Sequence, residues 1–110
     1  MSKKDLKKKA LDTFVNRVRE KYKDQIKKII LFGSYARGGS TKESDVDVLV
    51  IWKGRQLDGW NFLVSIATDI LIEYGVLISL KIISPKDYDT MIDLEMPFIQ
   101  SVEREGVILG

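Results

Sequence analysis

Apolar residues recur at every fourth position near the start of the chain, at Leu6, Ala10, Phe14, Val18 and Tyr22, with lysine and arginine filling the turns between them. Four-residue spacing stacks side chains on one stripe, so residues 4–23 are predicted to form an amphipathic helix. The pattern then shortens. Ile29–Phe32 is a compact apolar run that reads as a buried strand ended by Gly33, and Ser34 is suited to cap a short helical turn through Tyr35–Arg37. Gly38-Gly39-Ser40-Thr41 follows as a loop. Asp45–Trp52 is a second strand, and its unbroken apolar run predicts burial on both faces until Gly54 breaks it.

Residues Leu57–Tyr74 return to helical spacing. Trp60, Leu63, Val64, Ala67, Leu71 and Tyr74 share one side, and Phe62, Ile66 and Ile70 add a second stripe. The helix is therefore apolar around much of its circumference, and Gly75 is placed to end it. Val76–Ile83 reads as a third strand, Ser84-Pro85 as the opening of a turn or helix, and Pro97 as the first turn of a closing helix through Glu105 with Gly106 beyond it. Alternating helices and strands predict an α/β (α+β) domain, a small mixed sheet flanked by helices. At 110 residues the expectation is a single domain, residues 1–110.

Composition narrows the chemistry by exclusion. The chain has no cysteine and no histidine, so disulfides, thiolate or imidazole metal sites and Ser-His or Cys-His catalysis are ruled out. Any metal must bind through oxygen. No apolar run reaches membrane-spanning length and the N-terminus lacks the apolar core of a signal peptide, so the cytoplasm is the expected compartment. Charge is unevenly spread: residues 1–28 carry eleven Lys/Arg against four Asp/Glu (+7), the rest seven against twelve (−5). Aromatic residues are not interleaved among these lysines as in nucleic-acid-binding segments, so the run reads as a solvated face and direct nucleic-acid binding is not expected.

The residues that carry chemistry are Gly33-Ser34 and, ten residues on, Asp45-Val46-Asp47. Asp is depleted in strands, and two carboxylates two apart project from one face. Like charges so close need a cation between them, and a hard divalent ion such as Mg²⁺ is the natural occupant. Gly33 lets backbone approach a phosphate without a Cβ in the way. Ser34 would add a hydroxyl donor, and Arg37 and Lys42 in the intervening loop are candidate phosphate contacts.

A Gly-Ser turn, this spacer and a DxD inside a strand resemble the nucleotidyltransferases of the DNA polymerase β superfamily, and GSYARG in so short a chain resembles their minimal members, the MNT proteins. The resemblance implies a nucleotidyltransferase fold with Asp45 and Asp47 as catalytic metal ligands and Gly33, Ser34, Arg37 and Lys42 as nucleotide-binding residues. It implies Mg²⁺, one ion or two, and ATP as the nucleoside triphosphate. It also implies a HEPN-type toxin partner, with this chain as antitoxin modifying a hydroxyl of that partner. Phe98, Ile99, Val102 and the surplus apolar surface of the Leu57–Tyr74 helix are candidates for that contact. The oligomeric state is left open.

One element of the family pattern is missing. Its third carboxylate belongs on the neighbouring strand, but Gly75–Ile83 holds no Asp or Glu, and Ser79 or Lys81 takes the place. Glu73 and Asp87 flank the strand at a distance. A second reading therefore stands beside the enzyme: a catalytically impaired binding module that neutralises its partner by complex formation.

Overall fold

The computed structural model describes residues 3–36 and 45–110. In chain order the elements are α1 (Lys3–Tyr22), a single 3-10 turn, β1 (Ile26–Phe32), α2 (Gly33–Ala36), β2 (Val46–Trp52), α3 (Gln56–Tyr74), β3 (Ile78–Ile83), α4 (Pro85–Asp93), α5 (Pro97–Glu105) and β4 (Val107–Ile108). They build one mixed sheet, in the order β3-β2-β1-β4. β1 runs antiparallel to both β2 and β4, and β2 runs parallel to β3. The crossover that a parallel pair requires is α3.

The sheet separates two cores. On one face, Ala10, Phe14 and Val18 of α1 and Leu63, Ile66 and Ile70 of α3 close over Ile29, Leu31, Val46, Val48, Val50, Ile78 and Ile82. On the other, Ile99 and Val102 of α5 and Tyr88 of α4 close over Ile30, Leu49 and Ile51. Central β2 is thus covered on both sides, as its apolar run predicts, and Val48 to Trp52 are all at most 1% exposed. The i+4 stripe of α1 is the buried one, with Leu6 and Tyr22 at its half-buried ends.

Several expectations need correction. β1 starts at Ile26, earlier than its apolar run, because two lysines join it. β3 starts at Ile78, two residues late, although the Leu77 carbonyl already accepts from the Val46 amide at 3.1 Å. β4 was not foreseen; two exposed residues beside Ile30 and Leu31 are too short a segment to show a period. On α3 the buried set is Leu63, Ile66, Ala67 and Ile70, while Trp60, Phe62 and Leu71 are 50%, 40% and 40% exposed. A sheet face can cover only one side of a helix, so both predicted stripes are split: Trp60 and Leu71 of the first and Phe62 of the second are left outside. Ile99 and Val102 are core residues and therefore unavailable to a partner, whereas Phe98 is half-buried. Lys7 departs from the solvated-face reading of the lysine run: it is only 8% exposed, with its ammonium 5.9 Å from the centre of the Tyr35 ring.

Cross-links hold the helices in place. Arg17 of α1 forks onto Glu73 of α3 at 2.5 and 3.0 Å, and the Thr13 and Tyr74 hydroxyls meet at 2.9 Å. Glu73 is thereby committed to the α1 side, away from the acidic motif. α3 ends on Gly75 in the left-handed conformation, and Ser84 caps α4 by accepting from the Asp87 amide.

α4 and α5 are joined by the buried Tyr88, whose hydroxyl donates to Glu103 Oε1 at 2.6 Å. Burial first, and then this bond, push the phenol above its ordinary value. A phenol that holds its proton more tightly when folded contributes stability that is complete below its unfolded pKa, about 10, and lost as pH rises through the folded value. Tyr88→Phe should cost about 1 kcal/mol at neutral pH. It should also flatten the decline in thermal stability above pH ~10 that the wild-type chain shows; melting curves across pH 7–11.5 check both.

Candidate active site

The acidic motif stands where the sheet leaves its paired region. Asp45 is exposed and immediately precedes β2; Asp47 is the second residue of β2 and half-buried. Strand geometry holds from Val46, whose amide donates to Leu77, so the residues on either side of it project together. Across the sheet Asp47 is paired with Phe32 on β1 and with Ser79 on β3. These three side chains form a row on the α4/α5 face, the face on which Leu49 and Ile51 lie further along β2.

Gly33 follows Phe32 directly, with φ of +78°. Its α-carbon hydrogen faces the Asp47 carboxyl: a Cβ there would overlap Asp47 Oδ2 and lie 3.1 Å from Cγ. A glycine is needed at this position twice over, for its left-handed backbone and for the closeness of the carboxylate. Gly33 is the first residue of the single-turn helix α2, two positions earlier than a Ser34 cap would have it. Tyr35 on α2 packs against the α1/α3 core rather than facing outward, and burial raises its phenol.

The candidates divide plainly. Gly33, Asp45 and Asp47 are gathered at one sheet end, and the backbone of Ser34 lies in α2 beside them. The Ser34 side chain, Arg37, Lys42 and the glycine-rich loop lie outside the described residues. The register decides between the two β3 candidates: Ser79 is beside Asp47, and Lys81 is beside Leu49, one step further along the same face. The Lys81 ammonium lies 5.4 Å from the centre of the Phe98 ring, and Phe98 in turn meets Phe32 edge-on at 5.3 Å. Phe98 of α5 thus lies against Phe32 and Lys81 at the edge of the row, a placement the sequence did not disclose because helical spacing alone cannot say which apolar residue meets a strand end. Among the described residues no three acidic side chains come together as a metal cage.

The sequence pattern of the nucleotidyltransferase domain matches residues 11–106. The chain belongs to this family. It is 40% identical over 101 residues, 92% of this chain and 95% of the other, to the protein of Methanocaldococcus jannaschii named "Putative protein adenylyltransferase MJ0604". In fold it resembles a chain of the toxin–antitoxin assembly MntA–HpeT, crystallised as a mutant, with a TM-score of 0.57 at 20% identity, covering 91% of this chain and 71% of that one. It also resembles a crystal structure described as a "putative nucleotidyltransferase" from Sulfolobus solfataricus, with a TM-score of 0.53 at 18% identity, covering 98% of this chain and 87% of that one. The mixed sheet with flanking helices is the nucleotidyltransferase fold. Among the described residues no helix is long and apolar enough to cross a membrane.

Gly33→Ala should strain the turn by ~1–2 kcal/mol and displace the Asp47 carboxylate. The expected result is a modest fall in melting temperature, read by differential scanning calorimetry.

Proposed function

We propose that this chain transfers a nucleoside monophosphate, from ATP, to a hydroxyl group on a partner protein. The observation that carries the reading is the close approach of Gly33 to Asp47, with Asp45 alongside at the exposed strand end. It is supported by membership of the family and by the relative named as a protein adenylyltransferase.

The donor set suits Mg²⁺. That ion is commonly held by one or two carboxylates, with substrate phosphates and water completing its octahedron, whereas an all-protein Ca²⁺ cage needs more oxygen ligands than two aspartates bring. Asp45 and Asp47 would hold it, one ion or two. When bound, it neutralises phosphate charge and steadies the departing pyrophosphate. Gly33 keeps side-chain bulk away from the triphosphate, and Ser34, Arg37 and Lys42 are its proposed phosphate contacts. The acceptor oxygen bonds to the α-phosphorus as the bond from that phosphorus to the bridging oxygen of the β-phosphate breaks. Pyrophosphate leaves, and the hydroxyl proton passes to water, since β3 presents no base beside Asp47.

The partner we infer is a toxin of HEPN type, met in the cytoplasm, with this chain as its antitoxin. The fold likeness to a toxin–antitoxin chain supports that assignment. So do the exposed apolar residues of α3, Trp60, Phe62 and Leu71. A second reading, neutralisation by binding alone, is favoured by one observation: Ser79 stands opposite Asp47 where the family pattern has a carboxylate.

The deciding experiment incubates the purified chain with α-labelled ATP, Mg²⁺ and the product of the neighbouring gene. Label should pass to the partner with the wild type and fall at least a hundredfold with Asp45→Ala/Asp47→Ala. Tight partner binding without transfer would establish the binding module instead. Ser79→Asp restores the missing carboxylate and should raise the transfer rate about tenfold, toward the range typical of a positioned general base.

A further inference from the structure

β3 is the outer strand of the sheet among the described residues, and its register fixes which of its backbone groups face outward. The Leu77 carbonyl accepts from Val46 on β2, and Val46 is paired with Ile78. In a parallel ladder this means that residues 77, 79, 81 and 83 turn their backbone groups toward β2, while Ile78, Leu80 and Ile82 turn theirs away from the sheet. At the far end the Gln56 side-chain amide donates to the Ile82 carbonyl at 2.7 Å. The edge is thus stopped at Ile82 and presents Ile78 and Leu80 between that stop and the acidic motif. β3 holds no proline, and Lys81 is its only charged residue. Natural sheets usually blunt an outer strand more heavily than this.

Apolar grooves flank that edge. Trp60, Val64, Ala67, Leu71 and Leu77 line one of about 190 Å³ on the α3 side. A second of about 570 Å³ wraps round the strand between Trp60, Leu80, Lys81, Met91 and Phe98. A strand added to β3 would send alternate side chains into the two. Its residue opposite Ser79 would extend the row Phe32–Asp47–Ser79 by one place, two strand spacings or about 10 Å from Asp47 in backbone terms, and on the same face. Aspartate, metal and phosphate together span such a gap.

We propose that the acceptor protein docks as an extended segment on the outer edge of β3, presenting its hydroxyl residue opposite Ser79. This rests on the transferase reading above and specifies its substrate: a segment with the sequence hydroxyl, apolar, acidic. The hydroxyl residue faces Asp47, the apolar residue enters the groove of Trp60 and Leu71, and the acidic residue meets Lys81. Continuity with the acidic row and the lone positive charge on the edge select this occupant over an uncharged one. The bonds made and broken are those given above, with the segment's hydroxyl oxygen as the attacking atom.

The test uses the full chain and synthetic ten-residue peptides with a central Ser-Val-Glu or Ser-Val-Lys. Docking is read from hydrogen exchange at the Ile78 and Leu80 amides, and transfer from α-labelled ATP. The Glu peptide should slow exchange at both amides at least tenfold, and the Lys peptide should not; Lys81→Glu should reverse that preference. Leu80→Pro removes an outward-facing donor, a substitution an outer strand tolerates, and should abolish docking while ATP binding persists. Should that variant fail to fold, the Lys81→Glu reversal still decides. Protection without label would sustain the docking and remove the transferase reading. Label without protection, no protection by either peptide, or preference unmoved by Lys81→Glu would overturn the docking. Concentration-dependent protection in the chain alone would assign the edge to a second copy and overturn it as well.

Discussion

The register of β2 is the constraint on which the rest of the molecule depends. This strand is paired on both edges and covered on both faces, so its alternate residues belong to two different cores. A slip by one residue would push Asp47 among Phe14, Leu63 and Ile70 and turn Val46 and Val48 outward, exchanging a solvated carboxylate for a buried one. Burial of Val48, Val50 and Trp52 against α1 and α3 therefore does more than stabilise the sheet. It fixes which way Asp47 points, and with it the face of the sheet on which the proposed metal and nucleotide site would lie. The nearness of Gly33 to Asp47 is a consequence of the same register, because Phe32 is the residue paired with Asp47.

The two cores are unequal, and the inequality is where function has room. On the α1/α3 face every strand position of β2 is apolar. On the α4/α5 face the apolar residues Leu49 and Ile51 give way to Asp47, and on β3 Ile83 gives way to Lys81 and Ser79, moving toward the same sheet end. α5 covers the apolar half of that face and stops short of the polar half, with Phe98 at the boundary. A sequence that kept this face apolar throughout would bury more surface; polar residues clustered at one end are the departure expected of a functional site.

Much of this was legible in the chain because it is encoded by period. The four-residue stripe of α1 and the continuous run of β2 each name their own burial, and Gly33, Gly75 and Pro97 mark boundaries that the backbone respects. That Gly33, Asp45 and Asp47 lie together at one sheet end was legible because a strand places alternate residues on one side whatever its surroundings. What was not legible depended on partners distant in sequence. Nothing local in Val107–Ile108 says that it pairs with β1. The choice between Ser79 and Lys81 is a matter of parallel register, set by how α3 carries the chain across. Which apolar residues of α3 are covered was not legible because hydrophobicity reports what a side chain prefers, and only packing decides that Leu63, Ile66, Ala67 and Ile70 are buried while Trp60, Phe62 and Leu71 are not. Lys7 erred in the opposite sense: a long aliphatic stem lets a lysine be buried while its ammonium finds an aromatic ring.

The serine beside Asp47 bears on how tightly such a site would hold a metal before its nucleotide arrives. Three converging carboxylates attract a divalent ion on their own and repel one another when it is absent. Two carboxylates, one of them exposed, pull less and also cost less to keep unfilled in the folded chain. An ion bound by Asp45 and Asp47 would depend on triphosphate oxygens for much of its coordination. Metal and nucleotide would then be held together or scarcely at all, and the two-carboxylate arrangement would tie occupancy of the proposed site to the nucleotide. The same serine leaves the start of β3 free of negative charge, so an acidic acceptor segment could lie along that edge without facing a third carboxylate. In that sense the residue that would weaken the proposed metal site is compatible with the one charge β3 does carry, Lys81, acting in the proposed docking on the acceptor rather than on a metal.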